Sequence, residues 1–314
     1  LIFFIKNVLP EILKLCFIIK SNNIHVVHVN NNITLGIPAI IASKLCRVNC
    51  ICHIRETRHL IKRELFFLKF INKIIVLNKH AYNIYSKYTH MDVIQRMFNG
   101  IPLAYDGIDL KNSVNLNKDE TLNEFETYNV KLVAVAGRII EGKGQKEFIL
   151  AAKEVLKIKC GVKFLIIGDS KGGDDSYFKG IKQLVNDNFL ENNIIFTGWK
   201  DDIKNILSIL DIFVFSSTTF PEGLPNSIIE AMALKKPVIS TSIPGPDEIV
   251  LNNVTGFLVE PGDIKTMAEK IIYLLDNPDI SKKMGEEGRK RAEELFDIRK
   301  TVRNIESLYN ELLI

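Results

Sequence analysis

Residues 220–230 read FPEGLPNSIIE, and the order of elements around this stretch decides the fold. Upstream, DIFVFS (211–216) has the apolar run of a buried strand, and downstream PVIS (237–240) has that of the next strand. Between them a loop with Gly and Pro leads into a helix that starts near Pro225, where the missing N–H of proline is tolerated. The unit is therefore strand, glycine loop, helix and strand, and the helix N-terminus is suited to bind an anion.

Short apolar runs alternate with segments of helical period along the whole chain, and alternation of this kind indicates parallel βαβ units. The sequence therefore predicts an α/β fold built from two successive halves. The predicted strands lie at 25–29, 50–54, 74–77, 93–97, 132–136, 164–168, 194–198, 211–216, 237–240 and 256–259.

A polar, acidic and Asn-rich stretch at 102–130 predicts the boundary between the two halves. We expect a first domain at 1–110, a second at 111–296 and a final amphipathic helix at 297–314 that packs back toward the first domain. The predicted helix at about 4–20 has no strand before it, whereas a doubly wound domain normally starts with one. The first domain is therefore predicted to be truncated.

Charge and cysteine content limit the possible partners and the cellular compartment of the protein. The net charge is +4, but basic residues outnumber acidic ones in 1–111, and the reverse holds in the remainder. A basic first domain either faces an acidic partner or membrane surface, or is simply a solvated face. The five cysteines lie in apolar patterns and predict reduced core thiols, which suits a cytoplasmic protein. No stretch has the ~20 apolar residues that a membrane-spanning helix needs.

Polar and glycine residues follow the strands of the second half at their carboxyl ends, where open α/β sheets bind ligands. Arg138 and Lys143 could supply a planar fork and a point charge to a diphosphate, or they could be ordinary surface cations. The glycine turn at 171–173 is not GxGxxG, and no GxxxxGK[ST] motif is present. Dinucleotide-dependent dehydrogenases and P-loop ATPases are therefore disfavoured.

Several motifs together resemble the retaining, nucleotide-sugar-dependent glycosyltransferases of family 4. They are GRIIEGKG (137–144), Glu222 and Glu230 with seven residues between them, and GFLVEPGD (256–263). The resemblance implies the GT-B fold, in which two Rossmann-like, doubly wound parallel-sheet domains hold the active site in the cleft between them. Weaker marks in the first half are VHVNN (27–31), HIRE (53–56) and NGIP (99–102).

The resemblance also implies roles for the charged residues. Arg138 and Lys143 would hold the donor diphosphate and balance the charge that develops on the leaving nucleotide. Glu222 would accept hydrogen bonds from hydroxyls of the donor sugar, and Glu230 would bind the ribose. Neither carboxylate is expected to be a nucleophile, because the leaving phosphate would help to deprotonate the acceptor.

The remaining donor-binding residues would be glycines and their neighbours: Gly137, Gly198, Trp199, Gly223 and Leu224. Backbone N–H groups at 223 and 224 would contact the distal phosphate, and the loop at 198–199 would lie near the base. No cofactor and no metal are expected, because cations and a helix end replace them.

His53 ends an apolar strand, where the family often has a histidine that contacts the donor sugar. The alternative is a structural histidine inside a strand. Asn30 and Asn31, at the end of another strand, are weaker candidates for contact with the acceptor. The segment 59–73 mixes basic and aromatic residues, and it is either a membrane-contact helix or an ordinary domain helix that buries Leu65, Phe66 and Leu68.

The sequence therefore predicts a retaining glycosyltransferase that moves a hexose-type sugar from a nucleotide-diphosphate sugar to a saccharide or lipid-linked acceptor. Its setting would be synthesis of cell-envelope polysaccharide or glycolipid, in the cytoplasm or at the inner face of the membrane, without nucleic acid as a partner. Two alternatives stay open: a non-catalytic nucleotide-sugar-binding partner subunit, and a GT-B-fold sugar-nucleotide epimerase.

Overall fold

A computed structural model of the chain describes residues 8–90, 92–97, 104–105, 108–109, 129–170, 175–201, 203–219 and 222–313. The chain forms two compact units. The first contains Leu1–Gly100, Pro221–Leu224 and Ile298–Ile314, and the second contains Ile101–Phe220 and Pro225–Asp297. Within the ranges described, no helix combines the length and apolar character needed to span a bilayer.

Helices and strands alternate from the first described residues onward. In chain order the elements up to residue 109 are α1 (Leu9–Ser21), β1 (Val26–Asn31), α2 (Ile33–Cys46), β2 (Asn49–Ile54), α3 (Lys62–Leu68), β3 (Lys73–Val76), α4 (Lys79–Tyr85), β4 (Ile94–Arg96), β5 (Ala104–Tyr105) and β6 (Ile108–Asp109). They continue with β7 (Lys131–Ala136), α5 (Gln145–Leu156), β8 (Val162–Ile167), α6 (Asp175–Asp187), β9 (Ile194–Gly198), α7 (Ile203–Ile209), β10 (Ile212–Phe215), α8 (Asn226–Ala233), β11 (Val238–Thr241), α9 (Pro246–Ile249), β12 (Gly256–Val259), α10 (Ile264–Asp276), α11 (Pro278–Leu295) and α12 (Ile298–Leu313).

The first unit is built on a parallel sheet in which β1, β2, β3 and β4 follow one another in chain order. Helices cover both faces, which explains the buried apolar runs in β2 and β3. On one face Cys52 and Ile74 pack with residues of α2, α3 and α4. On the other face Leu308 of α12 packs with Ile51 and Ile75. The strand order does not reverse among the strands described in this unit.

The second unit is built on a six-stranded parallel sheet with the order β12-β11-β10-β7-β8-β9. Counted from β7, this is the doubly wound 3-2-1-4-5-6 order, and it reverses between β7 and β10. Helix α5 packs on β8 through Phe148 and Phe164, whose ring centroids lie 5.7 Å apart with edge-to-face geometry. The α/β class and the Rossmann-like architecture predicted from the sequence are therefore confirmed, and the doubly wound order is seen in this unit.

Differences from the sequence prediction are local. Helix α3 starts at Lys62 rather than at 59, because Ile61 is extended and its N–H donates to the Glu64 carboxylate at 3.1 Å. The helix predicted to start near Pro225 is α8, which begins at Asn226 with Pro225 as its extended N-cap residue. The prediction that every cysteine is a core thiol is wrong for Cys160, which is exposed. The short helix α9 and the β5–β6 pair were not predicted, and the motifs at 99–102 and 171–173 lie outside the described residues.

Candidate active site

The switch point of the second unit lies between β7 and β10, which pair in parallel. Two connections leave the carboxyl ends of these strands: residues 137–144 lead to α5, and residues 216–225 lead to α8. In doubly wound sheets the ligand crevice forms at this place, because neighbouring chains turn away from each other there. The first connection carries Arg138 and Lys143.

The two connections are joined by hydrogen bonds to backbone carbonyls of the first. Thr218 N–H donates to Gly142 O at 2.8 Å, and Ser216 Oγ donates to Lys143 O at 3.4 Å. A Cβ at Gly144 would lie 1.7 Å from Ser216 O, and the φ of +78° also favours glycine there. The carbonyl of Lys143 is thus fixed against the end of β10.

Gln145, which was not among the site residues predicted from the sequence, closes the loop that carries Arg138 and Lys143. Its side chain is 1% exposed and its Nε2 donates to Arg138 O at 2.9 Å. The Oε1 atom is buried and has no hydrogen-bond partner among the described residues. The only sequence signal was a polar residue directly after Gly144, at the first position of a helix. Arg138 is an exposed residue, whereas Lys143 is half-buried.

Glu230 lies in the second turn of α8 and is half-buried. Burial raises the pKa of its carboxyl, while Lys204 on α7 acts in the opposite direction. The described residues supply no side-chain hydrogen bond to this carboxylate. A half-buried carboxylate of this kind is a strong acceptor for hydroxyl groups.

Gly198 is the last residue of β9, two strands away from β7, and Trp199 directly follows it. Gly198 has a φ of +69° and its carbonyl accepts a hydrogen bond from Gly168 N–H at 3.0 Å. The Trp199 side chain is 56% exposed, and its Nε1 donates to Asp201 Oδ1 at 2.9 Å. The indole is therefore exposed enough to stack on an aromatic ligand.

The segment Pro221–Leu224 belongs to the first unit, where Asn78 holds it. Asn78 is fully buried, and its Nδ2 donates to Gly223 O at 3.1 Å and to Thr57 Oγ1 at 2.7 Å. A Cβ at Gly223 would lie 2.2 Å from Arg55 O, so a larger residue does not fit. Glu222 and Leu224 are 7% and 6% exposed. Asn78 was not among the residues predicted from the sequence, although an Asn directly before a helix signals an N-cap.

His53 lies at the carboxyl end of β2 and is 2% exposed. Burial, with smaller contributions from Arg55 and His28, lowers its pKa to about 3, so the imidazole is neutral at ordinary pH. Its ring stacks on that of His28 with centroids 5.7 Å apart. Asn30, in the neighbouring strand β1, accepts a hydrogen bond from Arg55 Nε at 2.8 Å. Asn31 is exposed at the end of the same strand.

These observations define a class of protein. Two parallel α/β units, a doubly wound sheet and a cation-bearing glycine loop at its switch point are typical of Rossmann-like proteins that bind phosphate-containing ligands. The profile of the family described as glycosyl transferases group 1 matches residues 117–291. The chain belongs to this family.

Comparison with individual proteins agrees with the family. The chain is 34% identical over 185 residues to the capsular polysaccharide biosynthesis glycosyltransferase CapM of Staphylococcus aureus, covering 58% of this chain but 46% of CapM. It is 26% identical over 324 residues to an Escherichia coli UDP-Gal:alpha-D-GlcNAc-diphosphoundecaprenol alpha-1,3-galactosyltransferase, covering 98% of this chain and 80% of that protein. Anabaena HepE in complex with UDP superposes with a TM-score of 0.86 at 20% identity, over 96% of this chain and 82% of that chain. The fold is therefore GT-B.

Proposed function

We propose that the protein is a retaining glycosyltransferase of the family 4 type, which transfers a hexose-type sugar from a nucleotide-diphosphate sugar. The observation that carries this proposal is the loop at 137–144, which brings Arg138 and Lys143 to the switch point of the second unit. A diphosphate carries its charge on several oxygens, and a planar guanidinium with an ammonium is well matched to it.

UDP is the nucleotide that we expect in the donor. The HepE structures contain UDP, UDP with glucose, or UDP-glucose, and the name of the E. coli relative specifies UDP-galactose. In this proposal Trp199 stacks near the base, and the Glu230 carboxylate accepts hydrogen bonds from the ribose hydroxyls. Gly137 and Gly198 contribute to the donor site through the backbone.

The residues divide the chemistry between them. Arg138 and Lys143 bind the diphosphate and stabilise the negative charge that grows on it as the sugar–phosphate bond breaks. Glu222 accepts hydrogen bonds from hydroxyls of the sugar, and the N–H groups of Gly223 and Leu224 contact the distal phosphate. Because the cations supply the positive charge, the reaction is proposed to need no metal, and EDTA is expected to leave the rate unchanged.

His53 is proposed to contact the donor sugar as a neutral imidazole. Because the pKa of His53 is about 3, its ring is neutral near pH 7. The proposed contact is therefore a hydrogen bond with a sugar hydroxyl and not an ion pair. Asn30 and Asn31 are proposed to lie on the acceptor side. The acceptor is proposed to be a saccharide or lipid-linked saccharide of cell-envelope polysaccharide synthesis, because CapM and the E. coli relative are named for such pathways or acceptors.

A transfer assay with UDP-glucose, UDP-galactose and UDP-N-acetylglucosamine tests the proposal. Lys143→Ala and Glu222→Gln are each expected to lower kcat/KM at least about 100-fold, a loss typical of groups that stabilise developing charge. Lys146→Ala and Glu191→Gln, which remove exposed charges of the second unit, are matched controls with unchanged rates. Unchanged rates in the first two variants would contradict the proposal. Donor conversion without any acceptor would identify an epimerase, and binding without turnover would identify a non-catalytic subunit.

A further inference from the structure

Helix α12 brings a tyrosine into contact with a histidine of the first sheet. Tyr309 Oη lies 2.6 Å from His28 Nδ1, and the two rings meet edge to face with centroids 5.8 Å apart. The helix is held in register by neighbouring bonds: Asn49 Nδ2 donates to Leu312 O at 2.6 Å, and Lys73 pairs with Glu311 at 2.6 Å. The position of the phenol is thus set by the whole end of α12.

His28 in turn stacks on His53. The ring centroids lie 5.7 Å apart with an interplanar angle of 22°. The Nε2 atoms of both rings are buried and have no hydrogen-bond partner within the described part of the chain. Leaving a buried polar group unpaired is destabilising. Two apolar side chains would avoid this cost, so packing alone does not account for a histidine pair at this place.

The short contact to Tyr309 selects one tautomer of His28. A distance of 2.6 Å is usual for an O–H donor and shorter than the range for N–H donors, which indicates that the phenol donates its proton into Nδ1. Burial and, to a smaller extent, Arg55 lower the pKa of His28, which favours the neutral ring. In that ring Nδ1 has a lone pair that can accept the hydrogen bond from Tyr309. The proton of the neutral ring then resides on Nε2.

We propose that Tyr309 is a positioning residue, which fixes the tautomer and plane of His28 and, through the ring stack, the orientation of His53 toward the donor sugar. The role of Tyr309 in transfer rests on the proposed function, because that function assigns the sugar contact to His53. The tautomer of His28 does not depend on it. The last helix of the chain thereby determines the geometry of an imidazole that lies more than 250 residues earlier in sequence.

Tyr309→Phe tests this inference, because it keeps the aromatic ring and removes only the hydroxyl. In protein labelled with ¹⁵N-histidine, long-range ¹H–¹⁵N spectra distinguish the two neutral tautomers, and His28→Gln assigns the signals. The wild type is expected to show His28 with the proton on Nε2, and Tyr309→Phe is expected to show a mixture of tautomers. Tyr85→Phe is the control, since Tyr85 packs on the opposite face of the same sheet. An unchanged His28 tautomer in Tyr309→Phe would overturn the inference.

Kinetics provide the second readout. Tyr309→Phe is expected to lower kcat about 5- to 10-fold, the scale of one hydrogen bond, with KM for the donor changed less than about twofold. A purely structural role would lower stability and leave kcat of the folded fraction unchanged, which would also overturn the inference. If the tautomers behave as expected but the wild type transfers no sugar, the proposed function alone is contradicted.

Discussion

At the scale of single residues, the tightest constraint is Gly144. Two features converge on it: a left-handed φ of +78° and a carbonyl that a Cβ would approach to 1.7 Å. The carbonyl belongs to Ser216, which directly follows β10. A backbone atom cannot move aside as the end of a flexible side chain can. The glycine therefore sets how closely the loop with Lys143 approaches β10.

Gly144→Ala is expected to destabilise the protein by about 2 kcal/mol or more, because it combines steric overlap with an unfavourable φ. Gly180→Ala is the matched control. Gly180 lies in α6, where an added methyl group would meet no heavy atom within 4 Å, and alanine there is expected to stabilise the helix by about 0.5–1 kcal/mol. Urea unfolding of both variants measures the difference, and equal stability would contradict the interpretation.

His53 makes stability depend on pH. Its folded pKa of about 3 lies below the ordinary value of 6.5, so between these pH values the unfolded chain binds a proton that the folded chain excludes. Stability is therefore expected to fall as the pH drops from 6.5 toward 3, by at most about 1.4 kcal/mol per pH unit from this group.

Urea unfolding at pH 7 and pH 5 tests this linkage. His53→Gln is expected to lose less stability between the two pH values than the wild type does, since it removes the group that excludes a proton. His59→Gln, which replaces an exposed histidine of the same unit, should behave like the wild type. A His53→Gln variant with the wild-type pH dependence would show that the imidazole titrates normally.

At the scale of elements, an ion-pair network orders the loop between β2 and α3. Glu64 is 1% exposed and accepts two hydrogen bonds from Arg58, at 2.6 and 2.9 Å, and one from Thr34 Oγ1 at 2.7 Å. Burial opposes ionisation of Glu64, but these bonds and that from Ile61 N–H together lower its pKa to about 2. This loop directly follows His53 and contains Arg55, so its order contributes to the geometry of the site.

Glu64→Gln is expected to destabilise the protein by about 1–3 kcal/mol, because it removes the buried carboxylate that accepts two hydrogen bonds from Arg58, which keeps its pair with Glu56. Glu269→Gln is the control: its pair with Lys265 on α10 is exposed and 3.9 Å long, and its loss is expected to matter by less than about 0.5 kcal/mol. Thermal and urea unfolding of the two variants compares them. A loss at Glu64 no larger than that at Glu269 would refute a stabilising network.

At the scale of the whole molecule, the first unit presents a basic and aromatic surface. Phe66 of α3 is 55% exposed, whereas the alternative of an ordinary domain helix predicted that it would be buried. Lys69 Nζ lies 4.0 Å from the centroid of the Phe66 ring. A nearby cavity of about 470 Å³ is lined by Lys44, Arg47, Lys69 and Phe70, with no carboxylate among its described lining residues. We propose that this surface contacts an anionic membrane, which would bring the protein to a lipid-linked acceptor.

Co-sedimentation with phosphatidylglycerol-rich vesicles tests this contact. Binding is expected to fall with added salt, to be weak on pure phosphatidylcholine, and to be lost in Lys44→Glu/Arg47→Glu/Lys69→Glu. The control Lys179→Glu/Lys265→Glu/Lys283→Glu changes the charge equally on exposed residues of the second unit. Equal binding by the two triple variants would exclude this surface as the contact.

The order of elements and part of the candidate site could be predicted from the sequence, because hydrophobic period and glycine position are local properties of the chain. The predicted and observed strand positions agree within a few residues. Arg138 and Lys143 were predicted to lie between a strand and the next helix, and that strand, β7, lies at the switch point of the sheet. The less local features were missed. The exposure of Phe66 depends on which helices pack around α3, and this is not encoded in the period of one segment.

The sequence by itself determined an alternating α/β chain with cations and glycines after its strands, since 2.0- and 3.6-residue periods and turn residues are readable along the chain. Only the tertiary structure decided which distant residues meet: Tyr309 with His28, Asn78 with Gly223, and Gly144 with Ser216. These contacts depend on strand register and on the seating of helices against a sheet. Strand register and helix seating are fixed by the packing of the whole core, so they cannot be read from any single segment of the sequence.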